Sequence, residues 1–337
     1  MNESMFYEML DENGVCCSLC NHRCKIRRGK RGICGVRENR GGKLYSLVYG
    51  KVIAEHIDPI EKKPLFHFQP GSRAFSIGTV GCNFHCKHCQ NFDISQYPHG
   101  HGGEIIGQDR KPEQIVAAAK NAGCKTIAYT YTEPTIFYEF AYDTAVLAQK
   151  QGIKNVFVSN GYMSTEAAHK IAPYLDAINI DIKAFTDKFY KDVCGARLKP
   201  VLETSQLMKD LGVWVELTTL IIPGLNDGEQ ELRDIAGFVK GIGPEIPWHV
   251  SRFYPAYKLV DRPPTPVATL RRAFQIGVKE GLRYVYEGNV LGEGAENTYC
   301  YACGALLIER YGLDLTANRL QNGKCPECGA KIDGVGM

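Results

Sequence analysis

The sequence predicts an α/β fold: a partial or full parallel β/α barrel with small cysteine-rich modules at its two ends. Two observations carry the barrel. From Arg73 onward, strand-like apolar runs alternate with helical periods six times or more. That alternation argues for a parallel sheet with helices outside. No strand-to-helix turn carries a dinucleotide-binding glycine fingerprint, which favours a barrel over a doubly wound sheet. A third observation sets the ends apart: twelve of the fourteen cysteines fall in three clusters, at 16–34, 82–89 and 300–328.

The chain of 337 residues is long enough for a sizeable core, with 44% hydrophobic and 23% charged residues. Disulfide frameworks belong to small secreted chains, so close cysteine pairs here point to thiolates converging on metal. The N-terminus lacks a basic stretch and an apolar stretch, so no secretory leader is expected. No apolar run approaches the roughly 18 residues that would span a membrane. These features together predict a cytoplasmic metalloprotein. A net charge of +3 argues against a dedicated nucleic-acid binder.

Residues 1–70 read as an N-terminal four-cysteine metal-binding region, 71–291 as the barrel and 292–337 as a zinc-ribbon or rubredoxin-like module. Within the first region, Leu44–Ala54 reads as short strands, and Pro59, Pro64 and Pro70 break any regular element after it. Barrel strands are predicted at 74–78, 126–130, 156–159, 177–182, 213–221, 248–253 and 283–286. Helices are predicted at 112–122, 135–151, 165–172, 201–211, 229–240 and 265–280. Pro112 suits a first helical position and Ser164 a cap. Gly123 and Gly152 suit helix ends.

The sharpest chemical signal is Cys82-x3-Cys86-x2-Cys89, directly after the first barrel strand. Zinc would want a fourth ligand, which His85 or His88 could supply. A [4Fe-4S] cluster would instead have three of its irons held by the cysteines, with the fourth iron open to a chelating substrate or cofactor.

Cys82, Cys86 and Cys89 match the cluster motif of the radical S-adenosylmethionine (SAM) superfamily residue for residue. The stretches DPIEKKPLFHF, SIGTVGCNFHCKHCQN, YTYTEPT, VSNGY and VYEGN extend the likeness. Over nearly its whole length the chain resembles the radical SAM enzymes of the AmmeMemoRadiSam system. That group is similar to the activating enzymes of glycyl radical enzymes, such as the activase of pyruvate formate-lyase. The resemblance implies a barrel of the radical SAM type, a [4Fe-4S] cluster and SAM. It also implies reductive cleavage of SAM to a 5′-deoxyadenosyl radical that abstracts hydrogen from a substrate. A reductant such as flavodoxin or ferredoxin is implied, with Memo-like and AMMECR-like proteins or a substrate protein as candidate partners. The target is either a small molecule or peptide, or the backbone glycine of a partner enzyme.

The remaining site candidates lie at strand ends. Glu133 and Pro134 stand where the superfamily has a glycine-rich segment with Glu-Pro, and Glu133 could equally serve a helix N-terminus. Ser159 and Asn160 offer short polar groups for SAM, against a plain Asn-Gly turn. Asn179, Asp181 and Lys183 share one face of a strand whose other face is Ile178, Ile180 and Ile182. Asp181 and Lys183 could line the chamber or merely satisfy each other. The resemblance makes His249 an adenine- or substrate-side residue of SAM binding, against a histidine hydrogen-bonded to backbone.

Cys17, Cys20, Cys24 and Cys34 offer a closed four-thiolate site for zinc or an auxiliary iron–sulfur cluster, with Cys16 competing with Cys17. Nine Lys or Arg residues and one acid lie between Asn21 and Lys43. That basic stretch keeps a zinc-rich RNA-binding or scaffold protein as the competing class. Cys300, Cys303, Cys325 and Cys328 form two matching knuckles for zinc or a single iron. The two remaining thiols, Cys124 and Cys194, are expected not to be ligands.

Overall fold

A computed structural model describes residues 2–290 and 295–337. Its centre is an eight-stranded sheet. The strands are β1 (Ala54–Pro59), β2 (Arg73–Gly78), β3 (Thr126–Tyr129), β4 (Lys154–Ser159), β5 (Ala177–Asp181), β6 (Trp214–Ile221), β7 (Trp248–Arg252) and β8 (Val285–Gly288). From β2 to β8 the neighbours pair in parallel and in chain order. β1 lies antiparallel on β2, so β1 and β8 are the edges and the barrel is partial.

The helices between these strands are α1 (Pro112–Asn121), α2 (Tyr138–Lys150), α3 (Thr165–Ile171), α4 (Leu198–Asp210), α5 (Glu229–Ile242) and α6 (Val267–Glu280). Pro112 opens α1, where Gln114 Oε1 accepts the Lys111 N–H at 2.8 Å. Ser164 Oγ caps α3 by accepting from Ala167 N. Three starts differ from expectation. α2 begins at Tyr138 because Pro134–Phe137 forms a tighter 3-10 turn before it. α4 begins at Leu198, ahead of Pro200, because the first N–H groups of a helix need no intrahelical acceptor. α6 begins at Val267 because Thr265 turns its hydroxyl back to Ile221 O and accepts from Phe253 N.

Alternation along the strands separates two apolar regions. Ile178, Ile180 and Ile182 belong to the large core that includes the helices. Ala74, Ala128, Val156 and Ala177 instead meet Ile60, Leu65 and Phe68. The sequence after Pro59 therefore enters and plugs the N-terminal end of the barrel. The strand β1 itself contradicts the expectation that prolines exclude regular structure there. Pro59 ends that strand rather than preventing it, as a proline can on an edge.

The first 50 residues build two small antiparallel sheets from Asn2–Glu3, Arg37–Arg40 and Lys43–Ser46, and from Tyr7–Met9, Val15–Cys17 and Lys25–Ile26. They are tied to α2 by a buried ion pair, Arg37 to Glu139 at 2.5 Å. At the other end, Thr298–Tyr299, Leu306–Tyr311 and Asp314–Asn318 form a three-stranded sheet. Its apolar face packs on Phe66, Tyr284 and Tyr286. The expected boundary at 291–292 lies outside the described residues. Among the described residues, no helix is long and apolar enough to cross a membrane.

Candidate active site and cysteine centres

The loop after β2 carries Cys82, Cys86 and Cys89. Its backbone is braced from two sides. His85 N donates to Cys194 O at 2.8 Å and Lys87 N to Val193 O at 2.9 Å, while Gly81 N donates to Ile94 O at 3.0 Å. Gly81 adopts φ +99°, and a Cβ there would stand 2.5 Å from Val36 Cγ1 and 3.0 Å from Cys34 O. Only glycine fits both the backbone angle and that approach. Phe84 N donates to Cys82 Sγ at 3.4 Å, and Cys89 Sγ lies 3.3 Å from Ser95 Oγ.

The three thiols do not converge on one point. Among the described residues, only the C-terminal cysteines bring three or more candidate ligand atoms within 4.8 Å of one another. Neither His85 nor His88 closes a zinc site with them, since no set of three ligand atoms that includes either histidine comes together among the described residues. Burial pushes the His88 imidazole down to about 3, with the Lys183 charge adding to the effect. Its Nδ1 and the Asn83 Nδ2 are buried without a hydrogen-bond partner. Spread thiols with buried unused polar atoms beside them fit a polynuclear cluster, whose cysteines each hold a different iron.

Glu133 Oε1 accepts from Thr135 N, Thr135 Oγ1 and Ser159 Oγ at 3.0, 2.6 and 2.9 Å. Its Oε2 accepts from Asn160 N at 2.7 Å. The carboxylate is thus engaged by protein donors and welds the end of β3 to the end of β4. Asn160 then extends its side chain to Asn83 Oδ1 at 2.7 Å and lies 3.9 Å from Cys82 Sγ. Ser159 serves Glu133 and Gly161 N.

Asp181 and Lys183 form an ion pair at 2.8 Å, with Lys183 14% and Asp181 37% exposed. Burial works against the Lys183 charge. Asp181, Cys86 and Cys194 override it and hold the ammonium well above its ordinary range. The same cation therefore faces both the carboxylate and the thiol loop. Cys194, which sequence spacing left aside, is fully buried next to Cys86. A hydrogen bond from Cys194 holds the Cys86 thiol below its ordinary range, against burial. No sequence signal pairs residues so far apart; the short helical turn ending at Cys194, closed by Gly195 at φ +73°, brings them together.

His249 sits in a different network. Its Nε2 meets Glu216 Oε2 at 2.7 Å, and its ring packs on Phe66 and Tyr286. Glu216 also accepts from Phe66 N, His67 N and Trp214 Nε1 at 3.0, 2.8 and 3.0 Å. Burial raises the Glu216 carboxyl, but the His249 bond and the imidazole charges bring it below its ordinary range. Glu216 fastens the barrel plug by its backbone, and His249 completes that fastening.

The terminal cysteines differ in geometry. Cys300 and Cys328 sulfurs are 3.6 Å apart, and those of Cys303 and Cys325 3.7 Å. That is the edge of a tetrahedron of thiolates around one ion with bonds of about 2.3 Å. Cys17, Cys20, Cys24 and Cys34 instead line one cavity, from which Cys16 is absent. In the strand Val15–Cys17, Cys17 is buried and Cys16 turns to the other face, toward Arg23 O. Of the nine basic residues in that region, Arg23, Arg31, Arg37, Arg40 and Lys43 are spent on ion pairs within the chain.

Comparison with known proteins agrees with this geometry. Residues 76–238 match the family described as the Radical SAM superfamily. The chain is 52% identical over 336 residues to the uncharacterized protein MJ0808 of Methanocaldococcus jannaschii, covering 99% of each. It is 24% identical over 177 residues to the pyruvate formate-lyase-activating enzyme of Clostridium pasteurianum, covering 51% of this chain and 71% of that one. Streptococcus suis SuiB bound to precursor peptide SuiA shares the fold at a TM-score of 0.51 and 15% identity, over 68% of this chain and 51% of that one. The chain belongs to the radical SAM superfamily of enzymes. Membership implies a [4Fe-4S] cluster and SAM, and the chain is similar to activating enzymes within that superfamily.

Proposed function

We propose that this protein cleaves SAM reductively and uses the resulting 5′-deoxyadenosyl radical to abstract hydrogen from a small-molecule, peptide or protein substrate. The observation that carries it is the Cys82, Cys86 and Cys89 loop, spread too widely for one ion and set at the C-terminal edge of a parallel barrel. When bound, the cluster supplies the electron that breaks the sulfur–carbon bond of SAM. Cys82, Cys86 and Cys89 would each hold one of the cluster's irons. Asn160 orients the Cys82 side, and Glu133 and Ser159 position Asn160. Lys183, fixed by Asp181, offers the positive charge for a carboxylate at the chamber. The plug of Leu65 and Phe68 keeps solvent from the opposite end. The enzyme would act in the cytoplasm, with a flavodoxin or ferredoxin as electron donor and without oxygen.

Likeness to the pyruvate formate-lyase-activating enzymes supports a second target, a glycine in a partner enzyme. Memo-like and AMMECR-like proteins are the other candidate partners. The test of the central site is a paramagnetic-resonance titration of the reduced protein with SAM. An open iron predicts a cluster signal that shifts on SAM addition and is lost in Cys82→Ala/Cys86→Ala/Cys89→Ala. The absence of any cluster signal that responds to SAM would overturn the assignment.

A further inference from the structure

We propose that Cys17, Cys20, Cys24 and Cys34 hold a second, auxiliary [4Fe-4S] cluster, directly adjoining the radical SAM centre. Three independent features carry this. The first is spacing. The four cysteines line one small cavity that is partly open to solvent. Yet no three of their sulfurs lie within 4.8 Å of one another, whereas the four C-terminal cysteines meet that condition. One fold thus holds both arrangements. The C-terminal set closes as thiolates do around a single ion, and the N-terminal set stays apart, as thiolates on different irons must.

The second feature is unused donors. Arg37 Nε and Asn83 Nδ2 are buried without a partner, and both residues line this cavity. Arg37 is only 2% exposed and Asn83 1%. Leaving such donors unsatisfied in a folded interior is costly. Four thiolates on a cluster are anionic, and buried N–H groups directed at sulfur stabilise that charge. Arg37 spends its other nitrogens on Glu139 and Met5 O, so its orientation is fixed before any cluster binds.

The third feature is position. Leu19 O accepts from Ser164 N and Tyr162 O accepts from Asn21 N, which fastens the Cys20 turn to the loop after β4. His22 Nε2 lies 2.7 Å from Asn83 O. Asn83 follows Cys82 in the chain, and the space at Gly81 is filled by Val36 and Cys34 O. A ligand of the radical centre and a wall residue of the second site are thus consecutive in the chain.

The identity of the neighbouring centre rests on the proposed function; the second site does not. The experiment is therefore made on full-length Cys82→Ala/Cys86→Ala/Cys89→Ala, expressed and purified without oxygen. Iron, zinc and acid-labile sulfide are counted. The proposal expects about four irons and four sulfides per chain to remain. Cys17→Ala/Cys20→Ala in the otherwise native chain should lose the same number. Should either variant fail to fold, the wild type decides, with about eight irons and eight sulfides expected. Zinc without sulfide in the triple variant, or about four irons in the wild type, would overturn the second cluster. About two irons and two sulfides in the triple variant would overturn its cubane form. SAM cleavage by the wild-type sample reports separately on the radical centre.

Discussion

Asn160 and Cys82 are linked across the mouth of the barrel: the Asn160 amide nitrogen lies 3.9 Å from the Cys82 sulfur. The same side chain donates to Asn83 at 2.7 Å, and its backbone N–H is anchored on Glu133 at 2.7 Å. The ends of β2, β3 and β4 thereby act as one unit around one corner of the cysteine loop. Asn160→Ala is expected to slow 5′-deoxyadenosine formation by about 10–100-fold while retaining the iron. Product assay and iron count on one preparation check this. Glu133→Gln should act in the same direction, and its unfolding free energy should fall by about 1.5–3 kcal/mol, since it exchanges charged for neutral hydrogen bonds.

Lys183 pairs with Asp181 at 2.8 Å, and the Cys86 and Cys194 thiols add to the field that holds its ammonium well above its ordinary range. Lys183→Met keeps the length and removes the charge. We expect the SAM affinity or cleavage rate to fall at least about tenfold, with cluster iron retained, since one buried charge-assisted contact is worth about 1.5–3 kcal/mol. Equilibrium binding and single-turnover cleavage separate the two effects. A variant with native values for both would remove Lys183 from the site.

Asp58 joins Lys63 at 2.6 Å, with both side chains buried, and also accepts from Tyr131 at 2.6 Å. Burial raises the Asp58 carboxyl, but the bonds from Lys63, Tyr131 and Lys62 prevail and hold it well below the carboxylate range. The native value lies below the unfolded one, so the unfolded chain binds more protons in between. The resulting stability is present in full above the ordinary value of 3.8 and is lost as pH falls through the native value. Asp58→Asn should cost about 3–5 kcal/mol at neutral pH by leaving Lys63 unpaired. Unfolding midpoints recorded against pH should converge for the two proteins toward acid.

The C-terminal sulfurs, spaced 3.6 and 3.7 Å in pairs, predict one ion per chain. Cys300→Ser/Cys328→Ser should release about one metal equivalent, because a closed tetrahedral site needs all four thiolates. The module's apolar face covers Phe66, Tyr284 and Tyr286. Limited proteolysis should therefore cut the variant first between residues 298 and 337. Metal analysis with peptide mapping checks both outcomes.

Much of this was legible in the sequence because it is local. The alternation of Ile178, Ile180 and Ile182 with Asn179, Asp181 and Lys183 reports which face packs under helices. The cysteine spacings mark all three centres. Glu133 was legible in part, as a carboxylate at the helical turn that starts at Pro134; its bonds to Ser159 and Asn160 were not, because those residues come from the next strand. The pairing of His249 with Glu216 was not legible, because Glu216 is set by the backbone of Phe66 and His67, about 150 residues before it. Cys194 carries no motif, and only the turn after β5 places it beside Cys86. Strand β1 was hidden because an edge strand tolerates the proline that would break an inner one.

The most direct test of the radical assignment is 5′-deoxyadenosine formation by anaerobically reconstituted protein given dithionite and SAM. The account predicts product from the wild type and none from Cys82→Ala/Cys86→Ala/Cys89→Ala, with about four irons lost between them. Equal product from both proteins, or no product from a wild type carrying its full iron, would contradict it.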